Sequence, residues 1–144
     1  MINLLTLAAC SVLAAICVGM HYESMRFLGR WMGRKRHQRR QGVVVVVLGL
    51  LSTHVVEIWL FAGAYAALVQ WPDIAGIRAF EPLTAMDFVY FSSVVYTTLG
   101  FGDMVPVGVI RMLTGTEALI GFGLLTWSAS FTFLEMQRFW PAVE

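Results

Sequence analysis

At 144 residues, the chain is long enough for a few membrane-spanning helices and too short to add a large water-soluble domain. Hydrophobic residues make up 58% of it and charged residues 13%, and the mean hydropathy is +0.73, which excludes an ordinary soluble protein. The net charge is only +1, but seven of the ten Lys and Arg residues lie between Arg26 and Arg40. This basic run is short and lies beside apolar segments, so it does not indicate nucleic-acid binding.

The first predicted element is a transmembrane helix at residues 1–21. Residues 2–20 are uncharged and numerous enough to cross a hydrocarbon core of about 30 Å. A cleaved signal peptide would have basic residues before its apolar region, whereas here they follow it, so we expect the helix to be retained. Cys10 and Cys17 share one face of this helix and are expected to pack as small hydrophobic side chains without a disulfide.

Residues 22–41 are predicted to form a basic cytoplasmic linker, because short loops rich in Lys and Arg stay on the cytoplasmic side of a membrane. This orientation places the amino terminus outside and the carboxyl terminus in the cytoplasm, and we expect the plasma (inner) membrane. Apolar residues lie among the charges, so the alternative for part of the linker is an interfacial helix on anionic inner-leaflet lipid. These apolar residues are Phe27, Leu28, Trp31 and Met32.

Two further spanning helices are predicted, an outer helix at residues 42–70 and an inner helix at residues 111–139. The segment between them holds four acidic residues and three of the four prolines, so it is not a simple span. Within it, Thr84 is a suitable N-cap and Asp87 follows three residues later, which indicates a helix at residues 84–97. A helix of this length covers roughly 20 Å, so we expect it to enter the membrane and stop partway.

The predicted short helix is followed by TLGFG, residues 98–102. Irregular backbone at membrane depth is tolerated where protein buries it or where it lines a watery path. Gly100 and Gly102 alternate with larger residues and adopt positive φ without a Cβ penalty, so consecutive carbonyls can point the same way. The carboxyl end of the helix also favours a cation at that depth. One chain supplies too few oxygens to replace the hydration shell of an ion, so the segment must repeat around an axis.

Residues 97–103, TTLGFGD, followed by Met104 and Pro106, resemble the selectivity filter of potassium channels. The resemblance extends over residues 42–140, the two-helix pore module, to which residues 1–21 add an extra helix. It implies an all-α membrane fold with three transmembrane helices, a re-entrant pore helix and a filter loop, assembled as a homotetramer.

The same resemblance implies roles for individual residues of the filter, residues 98–103. Four residues would coordinate K⁺, namely Thr98, Leu99, Gly100 and Phe101, and Gly102 would complete the coordinating ladder. Thr97 would support the filter, and Asp103 would lie at its outer mouth, where it concentrates cations or bonds back to the pore helix. Two positions depart from the common pattern, because Leu99 replaces valine and Phe101 replaces a tyrosine whose hydroxyl braces the filter in relatives.

The inner helix contributes three further candidates. Gly121 and Gly123 resemble the hinge that lets the inner helix bend open, and the alternative for either is close helix packing. Glu117 is expected to pair with Arg111 or to cap a polar pocket behind the filter.

The outer helix contains His54 and Glu57, three residues apart on one face, where ionisable groups need a partner. We expect them to bond to each other, or Glu57 to dock against Ser92 or Ser93. The functional alternative is a proton sensor that shifts gating. A zinc site is disfavoured, because two ligands do not complete a tetrahedron.

The function predicted from these features is passive, potassium-selective conduction, with no cofactor other than the permeant K⁺ ions. One alternative is a weakly selective cation channel, and another is a non-conducting membrane sensor or adaptor built on a pore fold. No Ser-His-Asp pattern, nucleotide-binding fingerprint or intramembrane protease motif is present, so an enzyme is not expected. The gating stimulus is left open among pH, membrane tension and lipid.

Overall fold

The computed structural model describes residues 2–34, 39–72 and 74–139, and most of these are helical. The helices and strands follow in the order α1 (Ile2–Arg34), α2 (Arg39–Leu68), β1 (Ala75–Arg78), α3 (Ala85–Tyr96), β2 (Val105–Gly108) and α4 (Ile110–Phe139). By length and composition, α1, α2 and α4 can each cross a membrane. The predicted helical membrane fold with three spans is therefore confirmed.

Helix α1 is longer than predicted. It continues past residue 21 to Arg34, so much of the expected linker at residues 22–41 is helix, and α2 already begins at Arg39. Glu23, Arg26 and Arg30 of this extension are exposed, and Arg26 donates to Glu23 at 2.7 Å. An apolar stripe on the other side packs against α2. The residues buried at this contact are Met25, Leu28 and Met32 of α1 and Val46 and Leu50 of α2. Lys35 to Gln38 lie outside the described residues.

The other helices begin and end within a few residues of the predicted positions. Helix α3 is preceded by Thr84 in an extended conformation, as expected for an N-cap. The backbone N–H of Thr84 donates to the Asp87 carboxylate at 2.7 Å, which is the predicted capping contact. This hydrogen bond and a second from the Thr84 hydroxyl hold the pKa of Asp87 below its usual range.

Two short strands were not predicted. β1 and β2 pair antiparallel, with Ala75 opposite Gly108 and Arg78 opposite Val105. Gly108 has φ of 67°, and a Cβ there would collide with the backbone carbonyl of Ile74, so the pairing depends on a glycine at this position. The strands join the chain before α3 to the chain after the filter, and thus close the re-entrant segment at its base.

Helix α1 packs against both α2 and α4, and its side chains enter the main hydrophobic core. Cys10 and Cys17 are buried there as free thiols, as expected from their position on one apolar face. The remaining buried members of this core come from α2, β1, α3 and α4, and they are Phe61, Tyr65, Ala75, Ile77, Phe91, Ile110, Leu113 and Leu124. The helix outside the predicted pore module is thus part of the same packed unit.

Candidate functional site

Helix α3 ends where the predicted filter begins. Thr97 is the C-cap, and its backbone N–H donates to the carbonyl of Ser93 at 3.1 Å. The N–H of Thr98 then donates to Val95 at 2.9 Å, and that of Leu99 donates to Val94 at 3.0 Å. These bonds finish the last turn of the helix and fix the direction in which the next residues leave it.

The backbone of the filter alternates between left-handed and ordinary conformations. Positive φ occurs at Thr98 (60°), Gly100 (58°) and Gly102 (83°), and the residues between them have negative φ. Such alternation turns successive peptide planes so that their carbonyls can point to one side. Among the described residues, Thr98 is the only non-glycine with positive φ, a conformation that costs an L-residue roughly 1–2 kcal/mol. Sequence reasoning found the two glycines and missed the strained threonine, because its side chain carries no signal for this conformation.

Within one chain the filter is open. The side chains of Leu99 and Phe101 are 62% and 66% exposed. A Cβ at Gly100 or Gly102 would have no neighbour within 4 Å, so these glycines are required by their φ angles and not by crowding.

Asp103, the last residue of the motif, is bonded to the short helix. The hydroxyl of Tyr90 donates to its carboxylate at 2.8 Å, which is one of the two arrangements expected for Asp103. This hydrogen bond raises the pKa of Tyr90 above its ordinary value, because the carboxylate stabilises the protonated phenol. The bond joins the end of the filter to α3. Phe101 has no hydroxyl with which to make such a bracing bond.

Behind α3, Glu117 of α4 is fully buried and accepts two hydrogen bonds. The donors are the hydroxyls of Tyr65 on α2 and Ser92 on α3. The expected pairing with Arg111 was therefore wrong, and the alternative of a polar pocket is present. The alternative predicted for Glu57, docking on Ser92 or Ser93, is not adopted, because Ser92 donates to Glu117 and Ser93 to the carbonyl of Tyr90.

The predicted hydrogen bond between His54 and Glu57 is present, at 3.2 Å between Nδ1 and Oε2. It belongs to a larger group that we call the histidine cluster, made of His21, His54, Glu57, Tyr96 and Ser128. The Nδ1 atom of His21 lies 3.1 Å from the other carboxylate oxygen of Glu57, and the Tyr96 hydroxyl donates to Glu57. The Nε2 atoms of His54 and His21 both contact the Ser128 hydroxyl, at 3.0 and 2.9 Å.

The histidine cluster joins all four helices. Sequence reasoning found its two members on α2 and missed His21 of α1, Tyr96 of α3 and Ser128 of α4. These three are brought to His54 and Glu57 by helix packing, and no spacing within the sequence indicates the contact.

The two glycines expected as hinges differ in their surroundings. A Cβ at Gly121 would collide with the backbone carbonyl of Tyr96, whereas a Cβ at Gly123 would have no neighbour within 4 Å. Gly121 is thus a close-packing position between α4 and the end of α3. Gly123 is free of such contacts, and α4 runs through both positions without interruption.

A comparison with protein-family models matches residues 43–138, more than half of the chain, to a family described as ion channel. No curated protein and no solved structure gives a significant match. The matched range contains α3, the filter and most of α2 and α4, and it leaves α1 outside. This family consists of ion channels and not of enzymes, and its characteristic unit is two spanning helices around a re-entrant pore loop. The chain therefore belongs to the ion-channel family with the two-helix pore module.

Proposed function

We propose that this protein is a potassium-selective channel that conducts K⁺ passively across a membrane. The observation that carries the proposal is the alternation of positive φ at Thr98, Gly100 and Gly102, directly after a helix too short to cross the membrane. Backbone of this kind can present a row of carbonyl oxygens, and such oxygens replace the hydration shell of K⁺ in selective filters. The coordinating oxygens would be those of residues 98–102, with K⁺ at Thr98, Leu99, Gly100 and Phe101.

The proposal requires a homotetramer, because one chain gives one carbonyl at each level of the ladder. The exposure of Leu99 and Phe101 in the single chain supports it, since neighbouring subunits would cover these side chains. Leu119 and Phe122, on one side of α4, are also exposed and would face other subunits or the central cavity. An assembly around one axis would bury these apolar side chains and complete the filter together.

Selection of K⁺ over Na⁺ depends on how firmly the carbonyls are held. Phe101 lacks a bracing hydroxyl, but three buried or bonded tyrosines hold the surroundings of the filter. Tyr90 bonds to Asp103, Tyr96 to Glu57 and Tyr65 to Glu117. We therefore favour potassium selectivity over weak cation selectivity.

The orientation proposed for the chain has the filter mouth and the amino terminus outside and the carboxyl terminus in the cytoplasm of a plasma (inner) membrane. The basic residues around the α1–α2 connection support it through the positive-inside rule. Arg26 and Arg30 are exposed on the last turns of α1, where they would contact anionic inner-leaflet lipid.

The test is ion flux from liposomes that contain the purified protein, with a K⁺ gradient and then with an equal Na⁺ gradient. We expect K⁺ flux far above Na⁺ flux, and block by Ba²⁺, which enters potassium filters. Equal fluxes would identify a weakly selective cation channel. Absence of flux from an intact tetramer would favour a membrane sensor or adaptor built on the pore fold.

A further inference from the structure

We propose that His21, His54 and Glu57 form a binding site for a divalent transition-metal ion of the Zn²⁺ class. The site lies inside the membrane-spanning unit and joins α1 to the pore module. It is separate from the filter and takes a different kind of ion, so it stands independently of the conduction proposed above.

The three side chains are of the right type and already close together. One potential ligand atom from each of the three lies within 4.8 Å of the others. The Nδ1 atoms of His21 and His54 are 3.1 and 3.2 Å from the two carboxylate oxygens of Glu57. In a tetrahedral site with metal–ligand bonds of about 2.0–2.1 Å, ligand atoms lie about 3.3 Å apart. Small side-chain movements are therefore enough to bring these atoms around one ion.

Two histidines and one glutamate are also a common ligand set of zinc sites with an open position. Sequence reasoning disfavoured zinc because it counted only His54 and Glu57. The packing of α1 adds His21 as the third ligand, and this helix lies outside the range matched by the ion-channel family. The pore module alone thus has an incomplete site that α1 completes.

The contacts of Ser128 provide an independent argument. Its hydroxyl lies within 3.0 Å of the Nε2 atoms of both His54 and His21. A serine hydroxyl has a single proton to donate but two lone pairs to accept with. If both Nδ1 atoms bind a metal, both Nε2 atoms carry hydrogen, and Ser128 can accept from the two rings at once. Metal-binding histidines typically donate their second N–H in this way, which fixes the ring orientation.

Burial favours an ion at this position. The side chains of His21 and Glu57 are fully buried, and His54 is 6% exposed. A carboxylate inside a membrane protein is costly unless positive charge compensates it. Burial distinguishes this site from clusters of exposed acidic side chains, which often lie near each other without binding a metal.

The site has a route of access and a direct connection to the filter. A cavity of about 340 Å³ between α2 and α4 has His54 and Ser128 in its wall. The Tyr96 hydroxyl lies 2.8 Å from Nδ1 of His54 and would serve as the fourth ligand or give way to water. Because Tyr96 is the last residue of α3, the ion would act directly on the helix that supports the filter.

The experiment uses the purified full chain in detergent, stripped with EDTA and titrated with Zn²⁺ by calorimetry. We expect one Zn²⁺ per chain, and we expect Co²⁺ to give the intense visible absorption of a tetrahedral site. His21→Gln should abolish tight binding, and Ser128→Ala, which leaves every ligand in place, should weaken it by about 10–100-fold. His37→Gln is the matched control, because it removes the remaining histidine of the chain, and it should leave the affinity unchanged.

The proposal is overturned if the wild-type chain shows no tetrahedral Co²⁺ spectrum. It is also overturned if Zn²⁺ binding survives His21→Gln, or if His37→Gln removes it. The Co²⁺ spectrum needs no substitution, so the test remains decisive even where a variant fails to fold. Potassium flux is measured on the same wild-type preparation. Zn²⁺ binding without flux would refute only the conduction proposal, and flux without Zn²⁺ binding would refute only the metal site.

Discussion

The hydroxyl of Tyr96 donates a hydrogen bond to the carboxylate of Glu57, and both side chains are fully buried. Tyr96 is the last residue of α3, and the strained Thr98 follows two residues later. Glu57 lies in the middle of α2 and also bonds to His21 of α1. The bond therefore ties the start of the filter to the two helices farthest from it in the sequence.

Replacement of Tyr96 by Phe keeps the ring and removes this donor. Because a buried carboxylate then loses a partner, we expect a loss of about 1–3 kcal/mol in the free energy of unfolding of the subunit. Potassium flux should fall as well, since the end of α3 is less firmly held. Chemical denaturation and liposome flux measure the two effects.

The control for this substitution is Tyr22→Phe. Tyr22 is half-exposed, and its ring, which the Phe variant keeps, stacks on Trp127. Both readouts should stay at the wild-type level. Equal stability of the Tyr96→Phe and Tyr22→Phe proteins would refute a role for the Tyr96–Glu57 bond.

Replacement of Gly100 by Ala tests the filter backbone. A Cβ at this position meets no atom within 4 Å, but φ is 58°, a conformation that costs alanine roughly 1–2 kcal/mol in each subunit. We expect the variant to assemble and to lose potassium flux, because the backbone relaxes out of the ladder. Gly63→Ala is the matched control, since Gly63 lies in α2 with nothing near its Cβ position. Normal flux from Gly100→Ala would show that a ladder of backbone carbonyls does not explain the motif.

The features predicted correctly from the sequence are local ones. The apolar lengths of the spans, the Thr84–Asp87 cap and the His54–Glu57 pair each depend on residues within one helix or turn. The geometry of these features depends on residues that are close in the sequence. They can therefore be predicted without knowledge of how the helices pack.

The features that were missed depend on contacts between elements. The extension of α1 is stabilised by packing of Met25 and Leu28 against α2, and its charges would otherwise suggest a linker. The two strands are four residues each and include Gly76 and Pro106, which disfavour a strand in sequence-based reasoning. His21 joins the histidine cluster only because α1 packs against both α2 and α4.

Gly121 and Gly123 provide a matched pair within α4. Gly121→Ala would place a Cβ against the carbonyl of Tyr96, and we expect it to destabilise the protein by about 1–3 kcal/mol through overpacking. Gly123→Ala should instead stabilise the helix by roughly 0.5–1 kcal/mol, because its Cβ has space and alanine favours helix. Unfolding of both variants in the same detergent measures the difference. Equal effects at the two positions would contradict the packing assigned to Gly121.

The bond between Tyr90 and Asp103 predicts a pH dependence on the alkaline side. The hydrogen bond to Asp103 raises the pKa of Tyr90, so the folded state holds the phenol proton more tightly than the unfolded chain does. Its contribution is then fully present below the ordinary tyrosine pKa of about 10, and it is lost as pH rises through the higher folded value. We expect selectivity for K⁺ over Na⁺ to hold from pH 7 to about 10 and to fall above that.

Tyr90→Phe lacks the bond at every pH, so its selectivity should be reduced already at pH 7 and should show no further drop that depends on this phenol. The measurement is the ratio of K⁺ to Na⁺ flux from pH 7 to 11 in both proteins, with Tyr22→Phe as the control for general effects of alkali on an exposed tyrosine. Because Asp103 ends the filter and Phe101 offers no hydroxyl, the two curves should separate below pH 10 and converge above it. Superimposed curves over the whole range would show that the Tyr90–Asp103 bond does not brace the filter.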